Sequence, residues 1–221
     1  MILYNLGDSH TYNKGPWCPN IEDHYWYKLA KLFGIDTVIN ESLLGRSNDM
    51  MIKLAIQHCL ENPQLPVLYI LNITTIFRFD IASPHSHTLH NILKKEAIDE
   101  LDFETIECTL YVKLIGLMEF FKSRNKQFLI INNGKNFSDD QLPMRDAFVN
   151  YFKNEPRILN WFDNSRIWFQ ENITKIKPVD YGVYGWNGHD GAAAHDQYFD
   201  MLTAKLKLLN LIKSYKYPIT E

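Results

Sequence analysis

The sequence predicts an α/β fold built on a mainly parallel sheet, and three observations carry that prediction. Short runs of strand-forming residues alternate with longer stretches of helical spacing along most of the chain. One run, Pro66-Val67-Leu68-Tyr69-Ile70-Leu71-Asn72, is apolar almost throughout, as expected of a strand buried on both faces. There is no internal repeat, low-complexity tract or linker, and 221 residues suit one sizeable domain better than two. Strands joined through helices call for right-handed crossovers.

The first predicted strand, Met1 to Leu6, runs straight into Gly7-Asp8-Ser9. A loop from His10 to Pro19, broken by Gly15 and Pro16, leads to Asn20, which reads as the N-cap of a helix. Glu22 and Asp23 suit its first turn, Ile21, Tyr25, Leu29, Ala30, Leu32 and Phe33 recur at mostly helical spacing, and Gly34 ends it. Thr37-Val38-Ile39-Asn40 is a second strand, followed by Leu44-Gly45-Arg46. Ser47 reads as the cap of the next helix, with Met51, Leu54, Ala55 and Cys59 inward.

After the third strand, residues 73–95 lose periodicity and read as an irregular exposed insertion. A long helix is predicted from about Glu96 to Arg124, with Ile98, Leu101, Ile106, Leu110, Leu114, Leu117 and Phe121 on its apolar stripe. Gln127 to Asn133 is the fourth strand. A helix begins near Ser138-Asp139-Asp140 with Phe148, Tyr151 and Phe152 inward, and Arg166-Ile167-Trp168-Phe169 reads as a short fifth strand. The last helix spans about Ala192 to Ile212, with Tyr198, Leu202, Leu206 and Leu209 on one side.

A formal charge of -3 argues against a nucleic-acid-wrapping protein, which would carry a basic excess. Cys18, Cys59 and Cys108 are odd in number, far apart and without CxxC spacing, so they spell neither a disulfide framework nor a zinc site. No stretch reaches the ~18 apolar residues of a membrane span, and the N-terminus lacks the parts of a signal peptide. A cytoplasmic chain with no membrane partner is the expectation; oligomeric state is not legible.

In a parallel sheet the strand-to-helix loops emerge at one edge, where ligand sites gather. Strand one brings Ser9 there, strand two Gly45, strand three Asn72, and the loop before the last helix brings His189. Those are the parts of an acyl-transfer site: a hydroxyl nucleophile with a base in reach, and two or three donors for the oxyanion, each worth on the order of 10²–10³ in rate. The backbone N–H groups of Ser9 and Gly45 with the Asn72 amide would make a three-donor hole. A Cβ at Gly45 would hold substrate off its N–H. Taken alone, Gly7-Asp8-Ser9 is equally a turn; the other blocks turn it into a site.

Gly7-Asp8-Ser9 after strand one, Leu44-Gly45-Arg46-Ser47-Asn48-Asp49 after strand two, Asn72 at strand three and a His before the last helix together resemble SGNH (GDSL-type) hydrolases over nearly the whole chain. The resemblance implies a three-layer α/β/α, flavodoxin-like fold with a mainly parallel five-stranded sheet. It implies hydrolysis of carboxylic esters or thioesters without a metal or organic cofactor. Carried across, Ser9 is nucleophile and first oxyanion donor, Gly45 and Asn72 complete the hole, and His189 is the general base.

Two blocks depart from the family pattern. The third usually reads Gly-x-Asn-Asp, but here it is Leu71-Asn72-Ile73-Thr74, so Thr74 or Thr75 is an alternative donor. The fourth usually reads Asp-x-x-His, but Trp186 stands three before His189. Asn187, Asp190, Asp180 or a backbone carbonyl is left to orient the imidazole. His195, six residues on, is the rival base.

Asp8, His10, Trp17, Arg78 and Trp186 are the candidates for contact with substrate, while Trp26 reads as core. His85, His87 and His90 fall in a polar insertion with no carboxylate or Cys pattern to complete a coordination shell, and read as solvated. The expected function is a serine ester hydrolase acting on a small-molecule or carbohydrate ester, with acetyl groups on carbohydrate the favoured substrate. The alternative is a catalytically silent, glycan-recognising module on the same scaffold. A nucleotide-binding flavodoxin-like protein fits poorly, because no Gly-rich phosphate loop follows strand one.

Overall fold

The computed structural model describes residues 1–7, 18–43, 46–73, 78–80, 86–88, 103–132, 143–160 and 192–211. Within them the strands are β1 (Ile2–Leu6), β2 (Thr37–Asn40), β3 (Val67–Ile73), β4 (Arg78–Asp80), β5 (Ser86–Thr88), β6 (Gln127–Asn132) and β7 (Ile158–Asn160). The helices are α1 (Tyr25–Phe33), α2 (Asn48–Glu61), α3 (Phe103–Ser123), α4 (Pro143–Asn154) and α5 (Ala192–Leu208). Five strands form an all-parallel sheet in the order β2-β1-β3-β6-β7. β1 therefore lies between β2 and β3, and the strand order reverses at the β1/β3 boundary.

Side-chain alternation sorts the core into two layers. Leu3, Leu68, Ile70, Leu129 and Ile131 face α1 and α5, where Tyr25, Trp26, Leu29, Phe33, Tyr198, Leu202 and Leu206 close over them. Tyr4, Leu6, Tyr69, Leu71, Phe128 and Ile130 face the other way, against Met51, Ala55 and Cys59 of α2, Leu114, Leu117 and Phe121 of α3, and Phe152 of α4. Phe121 stacks on Tyr69 with ring centroids 4.5 Å apart. Each large apolar side chain so enclosed contributes roughly 1.5–3 kcal/mol. This is the three-layer α/β/α arrangement with helices on both faces that a parallel sheet requires.

The helix ends follow local chemistry. Ser47 Oγ accepts from the Met50 N–H at 3.1 Å, which makes it the N-cap of α2, worth about 1 kcal/mol. Gly34 closes α1 at φ 61°, the left-handed region where a Cβ is strained, and the Ile35 N–H returns to the Ala30 carbonyl at 2.8 Å. Lys126 Nζ donates to the carbonyls of Asn62, Pro63 and Leu65 at 3.3, 2.7 and 2.9 Å, fastening the α2–β3 connection to β6.

Several sequence expectations need correction. Asn20 makes no capping bond; it precedes a 3-10 turn, Ile21–Asp23, and α1 starts only at Tyr25, after the buried His24. The fifth strand is Ile158–Asn160, a three-residue edge strand too short to show periodicity, while residues 166–169 lie outside the described residues. Residues 73–95 contain an antiparallel pair, β4 with β5, where irregular chain was expected. Tyr151 is exposed, not inward like Phe152.

His58 of α2 gives the fold an acid-sensitive point. Its ring stacks on Tyr4 at 4.0 Å and its Nδ1 lies 3.0 Å from the Tyr69 hydroxyl. Burial, chiefly, lowers its pKa below the ordinary 6.5; Lys126 adds to the shift, while Glu61 and Glu41 oppose it. The unfolded chain therefore takes up a proton near pH 6.5 that the folded chain resists, so His58 supports the fold above that pH and loses the contribution as pH falls. Thermal unfolding should show Tm falling between pH 7.5 and 5.5, and His58→Gln should flatten that slope. An unchanged slope in the variant would assign the acid sensitivity to other groups.

Candidate active site

The crevice outside the carboxyl ends of β1 and β3, where the strand order reverses, is the expected ligand position in an open α/β sheet. β1 delivers Leu6 and Gly7 to it, the last described residues before Asp8-Ser9. The chain leaving β2 folds back to the same place. The Glu41 N–H donates to the Asn5 carbonyl at 2.9 Å, and the Leu43 N–H donates to the Gly7 carbonyl at 3.2 Å. The Arg46 N–H then donates to the Leu43 carbonyl at 3.2 Å. The chain flanking residues 44–45 is thus held against the end of β1. α2 starts directly afterwards from its Ser47 cap, placing a helix N-terminus beside the crevice.

Asn72 comes to this edge from β3, although as the strand's penultimate residue and not in the loop beyond it. Leu71 pairs in register with Leu6, so Asn72 stands level with Gly7. Its side chain shares the parity of Leu68 and Ile70 and is fully enclosed. Neither Nδ2 nor Oδ1 has a hydrogen-bond partner among the described residues. A buried amide left so costs about 1–3 kcal/mol, and such a group calls for an explanation in function or in a bound species.

Beneath the crevice lies a polar network that sequence reasoning missed. The Tyr25 hydroxyl donates to Asn5 Oδ1 at 2.8 Å. Asn5 Nδ2 donates to Asn40 Oδ1 at 2.9 Å and to Ser42 Oγ at 3.3 Å, while the Ser42 hydroxyl donates to Asn40 Oδ1 at 2.7 Å. The ends of β1 and β2 and the start of α1 are locked together by side chains, which rigidifies whatever those ends carry. The signal was available: Asn5 interrupts an otherwise apolar strand, and Asn40 ends one.

Of the predicted site residues, Asp8, Ser9, His10, Trp17, Gly45, Trp186, Asn187 and His189 lie outside the described residues, as do Thr74, Thr75, Asp180 and Asp190. Arg78 begins β4, of which only the backbone is described. Trp26 is core, as expected. The rival base His195 is on the first turn of α5 with no exposed surface, its ring 4.5 Å from His24, 5.8 Å from Tyr25 and 6.1 Å from Tyr198. Burial holds the neighbouring His24 below the ordinary imidazole pKa, against the opposing pull of its bond to the Cys18 carbonyl. A groove of about 580 Å³ lined by Trp26, Tyr27, Ile35, Val38 and Asn40 runs along the β2 edge beside α1.

No family model and no curated protein matches the chain. Solved structures do. The chain is similar to a catalytic mutant of Axe2, an acetylxylan esterase from Geobacillus stearothermophilus, with TM-score 0.54, 13% identity and 97% of each chain covered. It is similar to a member of the lipolytic G-D-S-L family from Veillonella parvula, with TM-score 0.52, 14% identity, 94% of this chain and 97% of that one. It is also similar to the psychrotrophic esterase EstA from Pseudoalteromonas, with TM-score 0.51, 12% identity, 95% of this chain and 98% of that one. At such identities the likeness speaks for the fold alone, the α/β/α arrangement around a five-stranded parallel sheet that this chain shares with these structures. Among the described residues no helix is long and apolar enough to cross a membrane.

Proposed function

We propose that the chain is a serine ester hydrolase working through an acyl-enzyme on Ser9. The observation that carries the proposal is the enclosed Asn72 amide, without a partner among the described residues and level with the strand end that leads into Gly7-Asp8-Ser9. A donor preorganised for a developing negative charge is not tied up by a protein partner in the resting state, and its interaction is strongest in the transition state. In this reading Ser9 Oγ attacks the ester carbonyl carbon as His189 removes its proton. The backbone N–H groups of Ser9 and Gly45 and the amide of Asn72 hold the oxyanion. The proton passes to the departing alcohol, and water, deprotonated by His189, cleaves the acyl-enzyme. Asn187, Asp190, Asp180 or a backbone carbonyl orients the imidazole.

Short acyl groups on carbohydrate are the proposed substrates, with Asp8, His10, Trp17, Arg78 and Trp186 as the contact set. The esterase names of the structural neighbours, one of them an acetylxylan esterase, support the reaction class. A silent glycan-binding module is the second reading, favoured by Trp186 at the position where the family carries its acid. A fluorophosphonate probe separates the two. Esterase chemistry predicts one adduct per chain, mapped by mass spectrometry to Ser9 and lost in Ser9→Ala. An unmodified Ser9 after prolonged incubation at neutral pH would support the silent module.

A further inference from the structure

Folding brings a cysteine and a histidine together with a second histidine far from them in the sequence. Cys18 precedes the 3-10 turn, His24 lies between that turn and α1, and His195 is in the first turn of α5. One donor atom from each lies within 4.8 Å of the others, and the three residues are 1%, 0% and 0% exposed. His24 Nε2 lies 3.1 Å from the Cys18 carbonyl, which suits the tautomer that donates there and leaves Nδ1 a lone pair. Nδ1 is enclosed and has no hydrogen-bond partner among the described residues. That is the arrangement of a metal-binding imidazole whose second nitrogen is fixed by a backbone carbonyl.

We infer that Cys18, His24 and His195 form a binding site for one borderline-soft divalent cation, zinc foremost. Two imidazole nitrogens and a thiolate are the donor set zinc prefers, at ~2.0–2.1 Å to nitrogen and ~2.3 Å to sulfur. Tetrahedral placement at those lengths separates the donors by roughly 3.3–3.6 Å, so a pair at the 4.8 Å limit needs to close by about 1.2–1.5 Å. The Cys18 thiol gives up its proton on ligation, to solvent or buffer. Three protein ligands leave the fourth position to water or to another group of the chain. Cys18 follows Ser9 by nine residues and His195 follows His189 by six, so the ion would fasten together the two segments that bear the proposed nucleophile and base. The Lys28–Asp196 ion pair already joins α1 to α5 on the outside of the same junction. The site stands whether or not Ser9 proves nucleophilic.

The test uses the full chain, stripped with a chelator and titrated with zinc or cobalt(II). Expected are one equivalent bound and, with cobalt, a thiolate-to-metal charge-transfer band in the near ultraviolet that Cys18→Ser abolishes. Zinc at a hundredfold excess over Kd should raise Tm by about 5–10 °C, and magnesium should not. His195→Gln should weaken binding at least tenfold while any cobalt band keeps its thiolate character. No stoichiometric binding by the unsubstituted protein would overturn the site, and that result does not depend on any variant folding. A single equivalent bound without a thiolate band, and retained in Cys18→Ser, would place the ion elsewhere, with His85, His87 and His90 the first alternative, and would overturn it equally.

Discussion

Ser9→Ala is expected to lower kcat on a short-chain ester by about 10⁶ while leaving KM nearly unchanged. On the proposed mechanism, alanine removes the attacking oxygen but keeps the backbone N–H, so substrate binding and the first oxyanion donor survive. The loss falls on bond formation to the carbonyl carbon, a step with no ground-state counterpart, which is why kcat carries it. Because nucleophile and base act as one unit, adding His189→Ala to Ser9→Ala should cost little more, and a residual rate of roughly 10³–10⁴ over water should remain from the oxyanion donors. Steady-state hydrolysis of p-nitrophenyl acetate by the two single variants and the double variant measures this. Full turnover in Ser9→Ala would remove Ser9 from the chemistry, and strictly additive losses would mean that the two residues do not work together.

The fold was legible because burial leaves a strong pattern. β3 is enclosed at all seven positions, so its sequence is apolar but for Asn72; α2 and α5 bury one side, so Met51, Ala55 and Cys59, and Tyr198, Leu202 and Leu206, recur at helical spacing. β7 leaves no sequence signal because three residues at a sheet edge carry no period, and Tyr151 reads as core in sequence because an aromatic ring does so whichever way it points. The Asn20 error has a different cause. A good capping residue is a local signal, and the buried His24, tied to the Cys18 carbonyl, sets the start of α1 one turn later. The same non-locality hid the cysteine–histidine cluster, since Cys18 and His195 are 177 positions apart and no spacing rule spans that distance. At the carboxyl edge, Asn72 is expected from its place at the end of a strand; Asn5 and Asn40 stand out as polar residues in or ending strands, but that they join Ser42 and Tyr25 in one network follows only from the pairing of β1 with β2.

Asn72 also supports a prediction that sets activity against stability. If its amide is an oxyanion donor, Asn72→Ala should reduce kcat by about 10²–10³, the usual effect of losing one such donor. If it were instead a structural polar group, removing it would unfold the protein. The enclosed amide without a partner among the described residues argues the other way: it weighs against folding by about 1–3 kcal/mol. An apolar side chain of similar volume relieves that penalty without opening a cavity, so Asn72→Leu should raise Tm by about 2–4 °C per kcal/mol recovered while being at least as inactive as Asn72→Ala. Ser9→Ala should leave Tm where it was. Calorimetry and single-turnover kinetics on the same three proteins decide the matter. A Tm that drops in Asn72→Leu along with the rate would make the amide part of the scaffold, and the hole would then need its third donor from Thr74 or Thr75.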